Sequence, residues 1–126
     1  MLGSMPVIAF VPCKAPALAR PFYEGVLGLR FVSEDDVAVV FSMGDVMLRV
    51  VDVTGAPGHT AAPFTILGWV VPNIDGMARR LMEKGIQFER YPGMHQDGLG
   101  VWLASGGAKV AWFKDPFDNV LSLTEL

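Results

Sequence analysis

Cysteine is nearly absent from this chain of 126 residues: Cys13 stands alone, so no internal disulfide can form. A lone thiol suits a reducing cytoplasm, and Cys13 reads as a small packed residue near a strand end before it reads as a nucleophile. Histidine is almost as scarce. His59 and His95 lie too far apart in the chain to make a metal site by spacing. Basic runs are missing and the net charge is −3, which excludes the usual electrostatic footprint of a nucleic-acid binder. No apolar run approaches the ~20 residues that cross a bilayer, so no membrane partner is expected. The first residues lack the charged start and long apolar core of a secretory signal, and residues 1–4 read as a tag scar ahead of a start at Met5. Charged residues reach only 18%, too few for a disordered chain.

What remains is a strongly apolar sequence, 52% hydrophobic, of a size that buries roughly two-thirds of its unfolded surface in one domain, residues 5–126. The last stretch organises it. Val110-Ala111-Trp112-Phe113 is β-branched and aromatic, Asp115-Pro116-Phe117-Asp118-Asn119 is a polar break, and residues 120–126 alternate, with Leu121 and Leu123 opposite Ser122 and Thr124. An apolar hairpin of this kind belongs inside a sheet, with its polar parity turned to a cavity.

The same reading predicts strands over 6–12, 29–33, 37–41, 46–53, 63–71, 86–90 and 101–103. It predicts a helix over 15–28, with Leu18, Phe22, Val26 and Leu29 at helical spacing. A second helix runs from Asn73 or Asp75 to Lys84, with Met77, Leu81 and Met82 on its buried side. The two halves match. Pro6 and Pro63 open their first strands 57 residues apart, and Gly28 and Gly85 end their helices at the same offset. The offset grows to 72 between Phe41 and Phe113, and the loop around Tyr91 to Gly107 accounts for the growth. Two βαβββ copies follow: 5–53 and 63–126, joined by a Gly/Pro-rich linker over 54–62.

Phe22-Tyr23-x-x-x-Leu27-Gly28-Leu29, the doubled βαβββ pattern and Asp115-Pro116-x-x-Asn119 together resemble the vicinal oxygen chelate superfamily, which includes glyoxalases, bleomycin resistance proteins and extradiol dioxygenases. The resemblance covers nearly the whole chain. It departs at Asp118, where the family turn usually carries glycine. It implies an α+β fold of two tandem βαβββ units whose curved mixed sheets enclose a shared groove. It also implies a homodimer, in which the units pair within a chain or across two. In the family's metalloenzymes four cavity-facing residues, usually His, Gln or Glu, hold a divalent metal that meets the substrate's vicinal oxygens. Those positions fall here on Ile8, Arg49, Ile66 (Thr65 if the register slips by one) and Ser122. An aliphatic group has no donor, a guanidinium repels a cation, and a hydroxyl is a weak ligand. No metal or other cofactor is therefore expected.

Candidate functional residues are few. Arg49, alone in an apolar strand, is either a fixed cation for a carboxylate, phosphate or enolate oxygen, or a rim residue paired with Asp52, Glu125 or a partner subunit. Ser122 is a hydrogen-bond donor to a ligand or a satisfied strand residue. Trp69, Trp102 and Trp112 offer flat walls for an organic ligand or serve the core, with Tyr91 and Met94 near the mouth. His95, flanked by Gln96 and Asp97, can act as acid, base or donor, or belong to a plain surface loop. Lys114 and His59 read best as solvated. Three functions compete: a metal-free binder of a small organic molecule, a glyoxalase-type lyase or isomerase using Arg49 and His95, and a structural or regulatory dimer with no ligand.

Overall fold

Alternating apolar residues build two four-stranded mixed sheets, one in each of two compact units, Met1–Thr60 and Ala61–Leu126, and the computed structural model describes every residue of both. The boundary after Thr60 falls within the Gly/Pro-rich stretch 54–62.

The first unit contains β1 (Val7–Cys13), β2 (Arg30–Glu34), β3 (Ala38–Met43) and β4 (Val46–Asp52), in the order β1-β4-β3-β2. β1 runs parallel to β4, and the other pairs are antiparallel. Residues opposite one another across a sheet share a face. Val11, Val39, Phe41, Leu48 and Val50 therefore form one face, and all are buried. Tyr23 packs on Phe41 at 5.7 Å, and Phe31 meets Phe41 at 6.2 Å.

The expected helix over 15–28 is not a regular α-helix. Pro16–Leu18 form a 3-10 turn and Pro21–Val26 a π-helix, with Leu27 N–H donating to Phe22 O at 2.9 Å. Pro16 and Pro21 have no N–H to give, so a continuous α-ladder cannot form across them. Phe22 and Tyr23 stay buried, but Leu18 is 48% exposed and leaves the predicted apolar stripe. Gly28 ends the segment at φ 78°.

The second unit contains β5 (Thr65–Val70), α1 (Ile74–Glu83), β6 (Trp102–Leu103), β7 (Lys109–Lys114) and β8 (Val120–Glu125). Its order, β5-β8-β7-β6, repeats the first, with β5 parallel to β8. Asn73, not Asp75, caps α1: its Oδ1 accepts from Gly76 N–H at 3.1 Å. Ile74, Ala78 and Leu81 form the buried stripe, whereas Met82 is 45% exposed. Gly85, at φ 93°, closes the helix as Ile86 N–H reaches back to Leu81 O at 3.0 Å.

Residues 86–90, expected as a strand, give β7 the single bond from Glu89 N–H to Trp112 O at 2.8 Å. Gln96 ties the end of the segment to the loop that follows it. Its Nε2 donates to Glu89 O and Gly100 O, and its Oε1 accepts from Tyr91 N–H. The hairpin after β7 is built by the Asp-Pro-x-x-Asn residues themselves. Asp115 Oδ1 accepts from Phe117 N–H at 2.8 Å and Asn119 N–H at 2.9 Å, and Asn119 Nδ2 donates to Asp115 Oδ2 at 2.8 Å. Asp118 sits at φ 66°, a left-handed conformation that glycine adopts more readily. No helix is long and apolar enough to cross a membrane.

Candidate functional site

Each sheet packs its helical segment on one face and leaves the other to the opposite parity. In the first unit that other face is ordered by register. Phe10, Arg49, Val40 and Ser33 form one cross-strand row, and Ile8, Met47, Ser42 and Arg30 form the next. Phe10 is 62% exposed, Ile8 49% and Met47 42%. Arg49 is half-buried and forms no ion pair.

The carboxylates that the sequence offered as its partners are engaged elsewhere. Asp52 accepts from Thr54 Oγ1 at 2.7 Å and Thr54 N–H at 2.9 Å, and these two bonds hold its pKa below the ordinary aspartate value. Glu125 accepts from Ile74 N–H at 2.9 Å and stands 4.0 Å from Lys109 Nζ. The Arg49 charge is felt at Asp35. Hydrogen bonds from Val37 N–H and then Ala38 N–H lower the Asp35 pKa, and the Arg49 charge adds a smaller push in the same direction.

In the second unit Gly68, Ser122 and Trp112 share one row of the helix-free face, and Val70, Thr124, Val110 and Trp102 share the next. Trp112 meets Tyr91 edge-on at 5.5 Å and Trp102 at 6.1 Å, so three aromatic rings form one surface. Burial, and then the negative Glu89, push the Tyr91 phenol pKa up. Ser122 is buried over Gly68, where an added Cβ would collide with the Ser122 hydroxyl. Trp69 lies on the opposite face. It stacks on Phe113 at 6.5 Å beside Phe88, so it belongs to the helix-side core and not to the aromatic surface.

The loop residues divide. Asp97 Oδ1 accepts from Leu99 and Val101 N–H, and Gln96 braces the loop as described, so both serve its structure. His95 is exposed and makes no side-chain hydrogen bond. Lys114 Nζ stands 3.7 Å from Glu89. His59 lies in the linker, half-buried, and Cys13 is buried.

The four positions that the family's metalloenzymes use can be tested one unit at a time. The first unit offers an alkyl group, Ile8, and a cation, Arg49. The second offers Ile66, within the β-bulge between Thr65 and Leu67, and the Ser122 hydroxyl. Neither pair supplies two donors for a divalent ion, and no group of three or more His, Cys, Asp or Glu converges. A divalent metal does not fit this residue set.

Sequence reasoning missed Gly68 and Arg30. A glycine inside an apolar strand is a usable signal for close approach, whereas Arg30 joins the row of Ser42 and Met47 only once strand order is known.

Comparison with known proteins gives one consistent answer about the fold. Residues 7–123 match the family model described as Glyoxalase/Bleomycin resistance protein/Dioxygenase superfamily. A member of that superfamily from Sphaerobacter thermophilus aligns over 100% of both chains at 18% identity, with a TM-score of 0.79. A glyoxalase family protein from Enterococcus faecalis aligns over 99% of this chain and 100% of its own at 21% identity and a TM-score of 0.75. A lactoylglutathione lyase from Agrobacterium tumefaciens covers 97% of this chain and 93% of its own at 18% identity and a TM-score of 0.73. Among curated proteins, sequence comparison finds no match.

Proposed function

The chain belongs to the Glyoxalase/Bleomycin resistance protein/Dioxygenase superfamily, and within it we propose that this protein binds a small organic ligand without a divalent metal. The observation that carries the reading is the continuous surface of Tyr91, Trp112 and Trp102 beside the small residues Gly68 and Ser122. Such a surface suits a flat, largely apolar molecule, and the Ser122 hydroxyl supplies directional hydrogen bonding. Half-buried Arg49 is, by itself, a candidate contact for an anionic oxygen on the first unit. The donor chemistry at Ile8, Arg49, Ile66 and Ser122 supports a metal-free mode.

A lyase or isomerase activity like that named for the Agrobacterium protein has less support, because exposed His95 has no partner to orient its imidazole. A homodimer in the cytoplasm completes the reading. Exposed Val7, Ile8 and Phe10 along edge strand β1 support the dimer, and Cys13 as the sole thiol supports the location.

Tryptophan fluorescence against a panel of planar metabolites and antibiotics tests the proposal. Quenching should persist in chelator and weaken about tenfold in Trp112→Leu, the scale of losing a buried aromatic contact. Stoichiometric metal that is required for binding, or a flat response to every compound, overturns it.

A further inference from the structure

One side chain in the second unit grips three separate main-chain groups. Gln96 Oε1 accepts from Tyr91 N–H at 2.8 Å, and Gln96 Nε2 donates to Glu89 O at 2.9 Å and to Gly100 O at 2.8 Å. Both amide N–H donors and the carbonyl are thereby engaged. The Gln96 backbone in turn pairs with Trp102 as a lone antiparallel bridge. Tyr91 and Trp102 are the two rings that meet Trp112, at 5.5 Å and 6.1 Å. Gln96 therefore holds both by their backbones, one through its side chain and one through its main chain.

Little else fixes Tyr91 relative to Trp112. Segment 86–90 shares one bond with β7, from Glu89 N–H to Trp112 O. The bond from Met94 N–H to Tyr91 O, at 3.2 Å, closes a local turn through Gly93 at φ 83° and ties Tyr91 to nothing beyond that turn. The first unit needs no such tie, because β2 pairs with β3 from Arg30 to Glu34.

We propose that Gln96 is the positioning residue of the aromatic surface. Its amide sets Tyr91 against Trp112 and its backbone sets Trp102, so it fixes the shape that the three rings offer a flat ligand. The inference rests on the binding function proposed for that surface, and Gln96 acts through the rings without touching the ligand. Few side chains can replace it. Glutamate offers only acceptors where two carbonyls need donors, methionine keeps the length without the polar groups, and asparagine is one methylene short.

The test uses the whole protein, with NMR contacts between the Tyr91 ring and the Trp112 indole, and calorimetry with a naphthol as probe. The parent should show the ring contacts. Gln96→Met should lose them and bind the naphthol about tenfold more weakly. Asn73→Ala, which uncaps α1 and weakens the same unit, should keep both, a result that loss of stability alone does not produce. Because Gln96 is half-buried, water reaches the groups that a variant frees.

Gln96→Glu gives a second readout. Its ionised carboxylate faces Glu89 O and Gly100 O, so the neutral form is favoured and protonation comes at higher pH than in a free glutamate. The protonated group donates one bond again. Ring contacts and affinity, each taken as the ratio of variant to parent, should therefore recover as pH falls from about 7 to about 5. Glu89, Arg90, Tyr91, His95, Asp97 and Lys114 are the titratable and charged groups around the tie, and the ratio removes their common effect. Ring contacts that survive in Gln96→Met, an equal loss of affinity in Asn73→Ala, or a ratio for Gln96→Glu that stays flat with pH would each overturn the proposal. A parent that binds neither the naphthol nor any planar compound sinks the binding function instead, and the ring contacts still judge Gln96.

Discussion

The two units share a strand order and differ in almost everything hung on it. In the first, a 3-10 turn and a π-helix cover the sheet, β2 is a full strand, and the helix-free face carries Arg30 and Arg49 among aliphatic residues, two serines and a single aromatic ring, Phe10. In the second, a capped α-helix covers the sheet. The place of the full strand is divided between two-residue β6 and the loosely bonded 86–90, and the helix-free face carries three aromatic rings. Burial of one parity is all the fold asks of each sheet, and both satisfy it. The other parity is free to vary, and there the chemistry has diverged: cationic in one copy, aromatic in the other.

The hairpins between the last two strands of each unit show the largest expected contrast. Asp115 is 4% exposed and accepts two backbone N–H bonds and the Asn119 amide. Asp115→Ala strands those donors in a buried turn, so a loss of about 3 kcal/mol is expected by urea unfolding. Asp45 sits exposed in the corresponding turn of the first unit, and Asp45→Ala should stay within about 0.5 kcal/mol. Equal effects at the two sites would remove the distinction between a built turn and a plain one.

A middle-sized contrast lies in the rows that face away from the helices. Phe10 stands opposite Arg49, and Gly68 stands opposite Ser122, so the two positions correspond. Gly68→Ala would force the Ser122 hydroxyl aside, at a cost of about 1–2 kcal/mol. In a Ser122→Ala background the penalty should shrink below about 0.5 kcal/mol, a coupling that a double-mutant cycle reads directly. Phe10→Ala, at a position 62% exposed, should cost under about 1 kcal/mol. A Gly68→Ala penalty that survives in the Ser122→Ala background would place the strain in the backbone instead.

How far the sequence carries can be seen residue by residue. Proline and glycine punctuation marked both repeats, because Pro6, Pro63, Gly28 and Gly85 act locally. Asp115 and Asn119 were legible for the same reason: their turn is closed by their own side chains. The 15–28 segment kept its apolar spacing but lost its α-helix, since the prolines limit hydrogen bonding in a way that periodicity does not register. Residues 86–90 have strand composition, but Ile86 N–H turns back to the helix end and the Gln96 amide takes Glu89 O, so the segment shares only one bond with β7. Trp69 was decidable in principle, for alternation that turns Gly68 to one face turns Trp69 to the other. The joining of Tyr91, Trp102 and Trp112 was not, because it depends on the register of a two-residue strand after a long loop.

The smallest contrast is in proton linkage, and the two units should answer at opposite ends of the pH scale. In the first, hydrogen bonds from Val37 and Ala38 lower the Asp35 pKa and those from Thr54 lower that of Asp52. A depressed folded pKa means a contribution fully present above the unfolded value of about 3.9 and lost as pH falls through the folded one. In the second, burial and Glu89 raise the Tyr91 pKa. Its contribution is complete below the unfolded value of about 10 and is lost as pH rises through the folded one. Carboxyl-carbon NMR should therefore find Asp35 and Asp52 ionised below the ordinary aspartate midpoint, with the Val37, Ala38 and Thr54 amides shifting in step. Ultraviolet titration of Tyr91→Phe against the parent should show the loss of one phenol that ionises above the ordinary tyrosine midpoint. Because the carboxylates are exposed, water screens most of their effect, and acid should loosen the two turns without unfolding the first sheet. Global loss of the first unit's amide protection at the Asp35 midpoint would mean that its turns, and not its buried face of Phe41, Leu48 and Val50, hold it together.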